Sequence, residues 1–130
     1  MRKDLLPEGW SPPKGYANGI RVTGTEWLFL GGQIGWNSAQ QFESDDFVDQ
    51  VKQTLKNIIA VLSEADAGPE HMVRMTWYVT DKSAYVQSLK AMGQVYRQVV
   101  GKHYPAMSVI EVKSLVEDRA QVEIEVTAVK

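Results

Sequence analysis

"DDFVDQVKQTLKNIIAVLSEADAGPEHMVRMTWYVTD", residues 45–81, decides how this chain folds. Phe47, Val51, Leu55, Ile58, Ile59 and Leu62 recur at steps of three and four, which lays one apolar stripe along a helix from Asp45 to Ala65. Ser44 or Asp45 offers a cap at its start, and Gly68-Pro69 stops it. The period then changes to two. Val73, Met75, Trp77 and Val79 alternate with Arg74, Thr76, Tyr78 and Thr80, as in a strand with one buried face. A helix with one stripe to cover, followed by a strand with one face to bury, predicts a helix lying on the sheet that the strand joins.

Downstream, Ser83 offers a cap to a second helix. Tyr85, Leu89, Met92, Tyr96 and Val99 share one of its faces, and Gly101 closes it in the left-handed conformation. Two strands follow, "MSVIEV" and "AQVEIEVTAV". In the last, Val122, Ile124, Val126 and Ala128 point one way and Gln121, Glu123, Glu125 and Thr127 the other. Upstream, "PEGWSPPKGYANG", residues 7–19, reads as an irregular lead-in. "IRV" and "EWLFLGG" flank Thr23-Gly24-Thr25 and predict a hairpin, while Gly31, Gly32 and Gly35 near the strand end predict a bulge or a close backbone approach. The sum is one α+β domain over residues 1–130, a mixed β-sheet with two helices packed on one face. Trp27, Phe29 and Trp77 suggest apolar positions on both sides of that sheet, so the face without helices is expected to be covered by other copies of the chain in a homo-oligomer.

Composition narrows the function. Apolar residues make up 44% and charged residues 23%, an ordinary globular balance. With 14 basic and 16 acidic residues scattered along the chain, no basic stripe points to nucleic acid. The absence of cysteine excludes disulfides, thiolate nucleophiles and sulfur-bound zinc, and His71 and His103 have no local partner at metal-ligand spacing. No metal is expected. No signal-peptide core and no run of 18 apolar residues occur, which predicts a cytoplasmic protein without a membrane span.

Candidate chemistry is dispersed. Glu123 and Glu125 lie on the polar face of the last strand, where a carboxylate in a partly dry pocket serves as a general base; the pattern alone favours a solvated outer face. "KGYANG" presents the Tyr16 hydroxyl, although turn geometry explains its Gly and Asn equally well. "GGQIGW" offers main-chain N–H groups to a ligand, but its spacing is not that of a dinucleotide fingerprint and a bulge is the simpler account. Trp10, Trp36 and Trp77 suit core or interface packing.

Taken together, "PKGYANGI" (13–20), "GGQIGW" (31–36), "QVKQTLKNIIAVLSEADA" (50–67), "VRMTWYVTD" (73–81), "HYPAMSVIEV" (103–112) and "VEIEVTAV" (122–129) resemble the RidA/YjgF family of reactive-intermediate deaminases. The resemblance implies a chorismate-mutase-like fold that assembles as a homotrimer with small-molecule clefts at the subunit interfaces. It also implies hydrolysis of 2-imino acids or their enamine tautomers to 2-oxo acids and ammonia, with no metal and no cofactor. By the same resemblance, Tyr16 matches the pocket tyrosine, Gly32 the glycine whose main chain lines the cleft, and Glu123 the carboxylate that holds the water.

One position departs. After Pro-Ala the deaminases carry an arginine whose planar fork grips the substrate carboxylate, and here that residue is Met107. Val109 stands where a cysteine or similar polar residue is expected, and Gly93 aligns with an asparagine of some members. Losing a buried bidentate ion pair weakens carboxylate recognition by several kcal/mol. The resemblance therefore implies an imine or enamine deaminase of altered scope, acting on a more apolar substrate with Met107 and Trp36 shaping the site, or on an amino-dienoic acid. Another anion anchor, from Arg97, Lys113 or a main-chain N–H, stays open. So does a ligand-binding or regulatory trimer that has lost the reaction; an endoribonuclease is the third reading, against which the acidic balance counts.

Overall fold

A computed structural model describes residues 1–130. Six strands and three helices follow in the order β1 (Arg2–Asp4), β2 (Ile20–Val22), β3 (Trp27–Ile34), α1 (Phe47–Ser63), β4 (Met72–Val79), α2 (Lys82–Gln87), α3 (Leu89–Val99), β5 (Ala106–Glu111) and β6 (Val122–Val129). The main sheet runs β3-β6-β4-β5, with β4 and β5 parallel and the other two pairings antiparallel. The mixed α+β architecture expected from the sequence is present. No helix is long and apolar enough to cross a membrane.

The stripe on α1 is buried as its spacing dictates: Val51, Leu55, Ile58 and Leu62 are inaccessible and join Met75, Val79, Val122, Ile124 and Val126 in one core. Burying four such side chains contributes on the order of 6–12 kcal/mol before chain entropy is counted. The cap is Asp46, one residue beyond the expected positions, and its carboxylate accepts from the Asp49 N–H at 3.0 Å.

Two polar residues inside this stripe escape a reading by hydropathy. Gln50 is 1% exposed; its Nε2 donates to the carbonyls of Ser44 (3.1 Å) and Arg119 (3.0 Å), and its Oε1 accepts from the Gln121 N–H at 2.9 Å. It thereby fixes the loop entering β6 to the start of α1. Two turns further along α1, the Asn57 amide donates to the Ile34 and Trp36 carbonyls at 2.9 and 2.8 Å and ties down the exit of β3.

Three expectations need correction. The hairpin between "IRV" and "EWLFLGG" does not form: β2 pairs antiparallel with β1, an N-terminal strand that the sequence reading missed, and β3 pairs with β6. The Thr25 and Glu26 N–H groups both donate to the Lys130 carbonyl at 2.9 Å, which directs β3 along the C-terminal strand. The second helix is two helices, α2 and α3, broken at Ser88 (φ −103°, ψ 8°), and its first turn is capped by Asp81, not Ser83. In β4 a register shift between Met72 and Arg74 turns Met72 inward in place of Val73. Other details agree with the sequence: the β3 bulge falls between Leu30 and Gln33, and Gly101 follows α3 with φ +86°.

Replacing Gln50 by Ala strands the Gln121 N–H and two carbonyls beneath the helix. The expected loss is roughly 2–4 kcal/mol of unfolding free energy, read from urea denaturation, where an exposed polar truncation costs under about 0.5 kcal/mol.

Candidate functional site

Alternation along β6 places Val122, Ile124, Val126 and Ala128 in the core, so Glu123, Glu125 and Thr127 stand on the face opposite the helices. Tyr78 of β4 is the register neighbour of Glu123, and its hydroxyl donates to Glu125 Oε1 at 2.7 Å. That hydrogen bond, followed by desolvation and the charges of Glu125 and Glu123, holds the Tyr78 phenol above its ordinary pKa. The neutral hydroxyl thus remains a donor beside the carboxylate pair throughout the physiological range.

The bulge of β3 brings Gly32 against Glu123. A Cβ built on Gly32 would stand 2.6 Å from Glu123 Cδ and closer still to Oε2, so only a residue without a side chain lets the carboxylate lie on this stretch of main chain. Trp27 and Phe29, 63% and 74% exposed, continue the same strand with their rings 6.2 Å apart. They form the apolar, uncovered part of the sheet that the sequence reading expected.

Met107 lies on the other face. It pairs in register with Met75 and packs against the core, at the wall of a cleft of about 390 Å³ between α2, α3 and the β4–β5 edge. Trp77, Tyr85, Leu89, Met92 and Tyr96 form most of its apolar wall. Burial pushes the Tyr85 phenol above its ordinary pKa. Desolvation first, then the neighbouring Tyr104, raises that of Tyr96, whose hydroxyl donates to the His103 carbonyl at 2.5 Å. Tyr96 and Tyr104 stack at 5.3 Å and close one end.

The residues singled out in the sequence therefore divide. Gly32 and Glu123 meet on the open face. Met107 lines the helix-side cleft, and Val109, paired with Trp77, follows it on the same face of the edge strand. Tyr16 runs beside β5, where the next residue, Ala17, donates its N–H to the Pro105 carbonyl at 3.0 Å; the preceding Lys14 and Gly15 reach the cleft itself. Gly93 lies in the cleft wall. Trp36 does not share a site with Met107: it packs on Phe42 at 5.9 Å beyond the exit of β3, where the Asn57 amide holds its carbonyl. Of the two alternative cationic anchors, Arg97 lines the cleft and Lys113 does not. Sequence reading missed the aromatic walls because their helical stripe reads as core, and four of its five residues, all but Val99, line the cleft.

Comparison with known proteins identifies the family and the fold. The family model described as Endoribonuclease L-PSP matches residues 10–130. A RutC family protein of Aquifex aeolicus is 35% identical over the whole of both chains. The human 2-iminobutanoate/2-iminopropanoate deaminase is 26% identical over 88% of this chain and 80% of its own length. Among solved structures, a Yersinia pestis protein of the conserved Rid family, described as of unknown function, superposes with a TM-score of 0.88 at 30% identity, covering 99% of this chain and 98% of that one.

Gly93 sits inside α3 with ordinary helical φ, and a Cβ there meets no atom within 4 Å. Gly93→Ala is expected to raise the unfolding free energy by about 0.5–1 kcal/mol in urea denaturation, the helical cost of glycine removed without a clash.

Proposed function

The chain belongs to the RidA/YjgF (Rid) family, and from that membership we propose that it is an imine or enamine deaminase whose substrate scope is shifted by Met107 toward apolar substrates. The observation that carries this reading is the fit of the Glu123 carboxylate against the main chain at Gly32, which sets a proton acceptor for water beside exposed backbone. Water adds to the imine carbon, and Glu123 takes one of its protons and passes it to the imine nitrogen, giving a carbinolamine. Glu123 then takes the carbinolamine hydroxyl proton and delivers it to the amino group as the C–N bond breaks, which releases ammonia and leaves the 2-oxo compound. Nothing in this sequence needs a metal or an organic cofactor.

The two halves of the site lie on opposite faces of one sheet, so the proposal includes a homotrimer. In it the Glu123 and Gly32 of one protomer meet the Met107 cleft of the next, and Trp27 and Phe29 are covered in the same contact. Tyr16 and Val109, beside the edge strand, complete the ligand surface. A second reading, a trimer that binds a small ligand without releasing ammonia, draws its support from the neutral Met107 at the clamp position. An RNA substrate gains no support from the open face, where Glu123 and Glu125 would oppose a phosphate backbone.

Imines generated in situ from neutral, aromatic and acidic amino acids by an amino-acid oxidase test the proposal. The native protein is expected to accelerate ammonia release from apolar imines, Glu123→Ala to lose about 10²–10³-fold of that acceleration, and Met107→Arg to gain activity on short imino acids. If no imine is hydrolysed faster by the native protein than by Glu123→Ala, the deaminase reading fails and the binding trimer replaces it.

A further inference from the structure

The cleft beside Met107 carries its own description of a ligand. Its apolar wall is largely aromatic, and its only charged lining residues are two cations, Lys14 and Arg97. Neither joins the three ion pairs of the chain, which are Arg2–Asp4, His71–Glu70 and Arg119–Asp45. Within the protomer, no carboxylate lines the cleft to neutralise them. Arg97 follows Gly93 by one helical turn on α3, and with no side chain at 93 the space between the Arg97 turn and the strand wall is open. Deeper in, Trp77 is 5% exposed and its Nε1–H is buried without an acceptor.

We propose that Arg97, flanked by Lys14, is the anion anchor that replaces the missing arginine at position 107, and that the cleft selects carboxylates bearing an aromatic or bulky apolar body. Charge complementarity fixes the sign of the ligand's head, because two unpaired cations face an otherwise neutral wall. The walls fix its body: Trp77, Tyr85 and Tyr104 offer ring faces and edges, and the unbranched Met107 thioether adapts to an aromatic neighbour where an arginine would fill the space with charge. A volume of about 390 Å³ admits a ligand of one ring and a short acid chain. A short polar acid would leave the same walls wet. This assignment rests on the reading of the cleft as the substrate end of the site, and it makes Arg97 a specificity-determining residue on a helix, not on the strand.

Calorimetric titration with 3-phenylpropanoate, its neutral isostere 3-phenylpropanamide and the short acid propanoate separates charge from ring. The native protein is expected to bind 3-phenylpropanoate at least about tenfold more tightly than either of the others. Arg97→Gln should remove most of that preference over the amide, Arg97→Lys should restore part of it, and Lys113→Gln, outside the cleft, should leave it unchanged. Equal affinity of native and Arg97→Gln proteins for 3-phenylpropanoate, equal affinity of the native protein for propanoate, or no binding of 3-phenylpropanoate at all would each overturn the proposal. Because binding is read without turnover, the expected pattern in a protein that hydrolyses no imine sustains the anchor while refuting the deaminase.

Discussion

The two-residue period of β6 governs this molecule. Its inward residues Val122, Ile124, Val126 and Ala128 are all but inaccessible, and they hold the central strand of the sheet against α1. A slip of one residue would bury Glu123 and Glu125 and expose the core, which makes the register far costlier to change than any single contact. Gln50 enforces that register from the side. Its three hydrogen bonds to residues 44, 119 and 121 leave the chain one place at which to enter β6.

The same alternation distributes the chemistry. A carboxylate at 123 must face away from the helices, and the residue at 107, paired with Met75, must face toward them. One protomer cannot bring these two groups together across its own sheet. The proposed trimer resolves this by using the uncovered face, with Trp27 and Phe29 as its apolar contact, so that assembly and site formation become one event. On that account the exposed aromatics of β3 and the open cleft at Met107 are two consequences of an unpaired sheet.

Much of this was legible in the sequence because it depends on periodicity. The α1 stripe, the β6 alternation and the bulge at the paired glycines all follow from local spacing. What failed depends on contacts distant in the chain. The β2–β3 hairpin was a sound local reading, but residues 25 and 26 bond to Lys130, and the N-terminal segment takes β2 as its partner. The stripe from Tyr85 to Val99 concealed a break at Ser88, because both helices present apolar residues to the same layer. Arg97 was one of two candidate cationic anchors, with Lys113, until the packing of α3 on the sheet brought it to the cleft, whereas Trp36, beyond the exit of β3, was carried away from it.

The central claim is that Glu123 of one protomer works with the Arg97 and Met107 cleft of another. Mixed oligomers test it most directly: subunits carrying Glu123→Gln and subunits carrying Arg97→Gln, each at least about tenfold slower than native on a sub-saturating aromatic imine, are unfolded together and reassembled in equal amounts. A shared site predicts that about one quarter of interfaces recover both native groups, and with them about one quarter of the native rate of ammonia release. Activity that stays at the level of the two parents would contradict a site built between protomers.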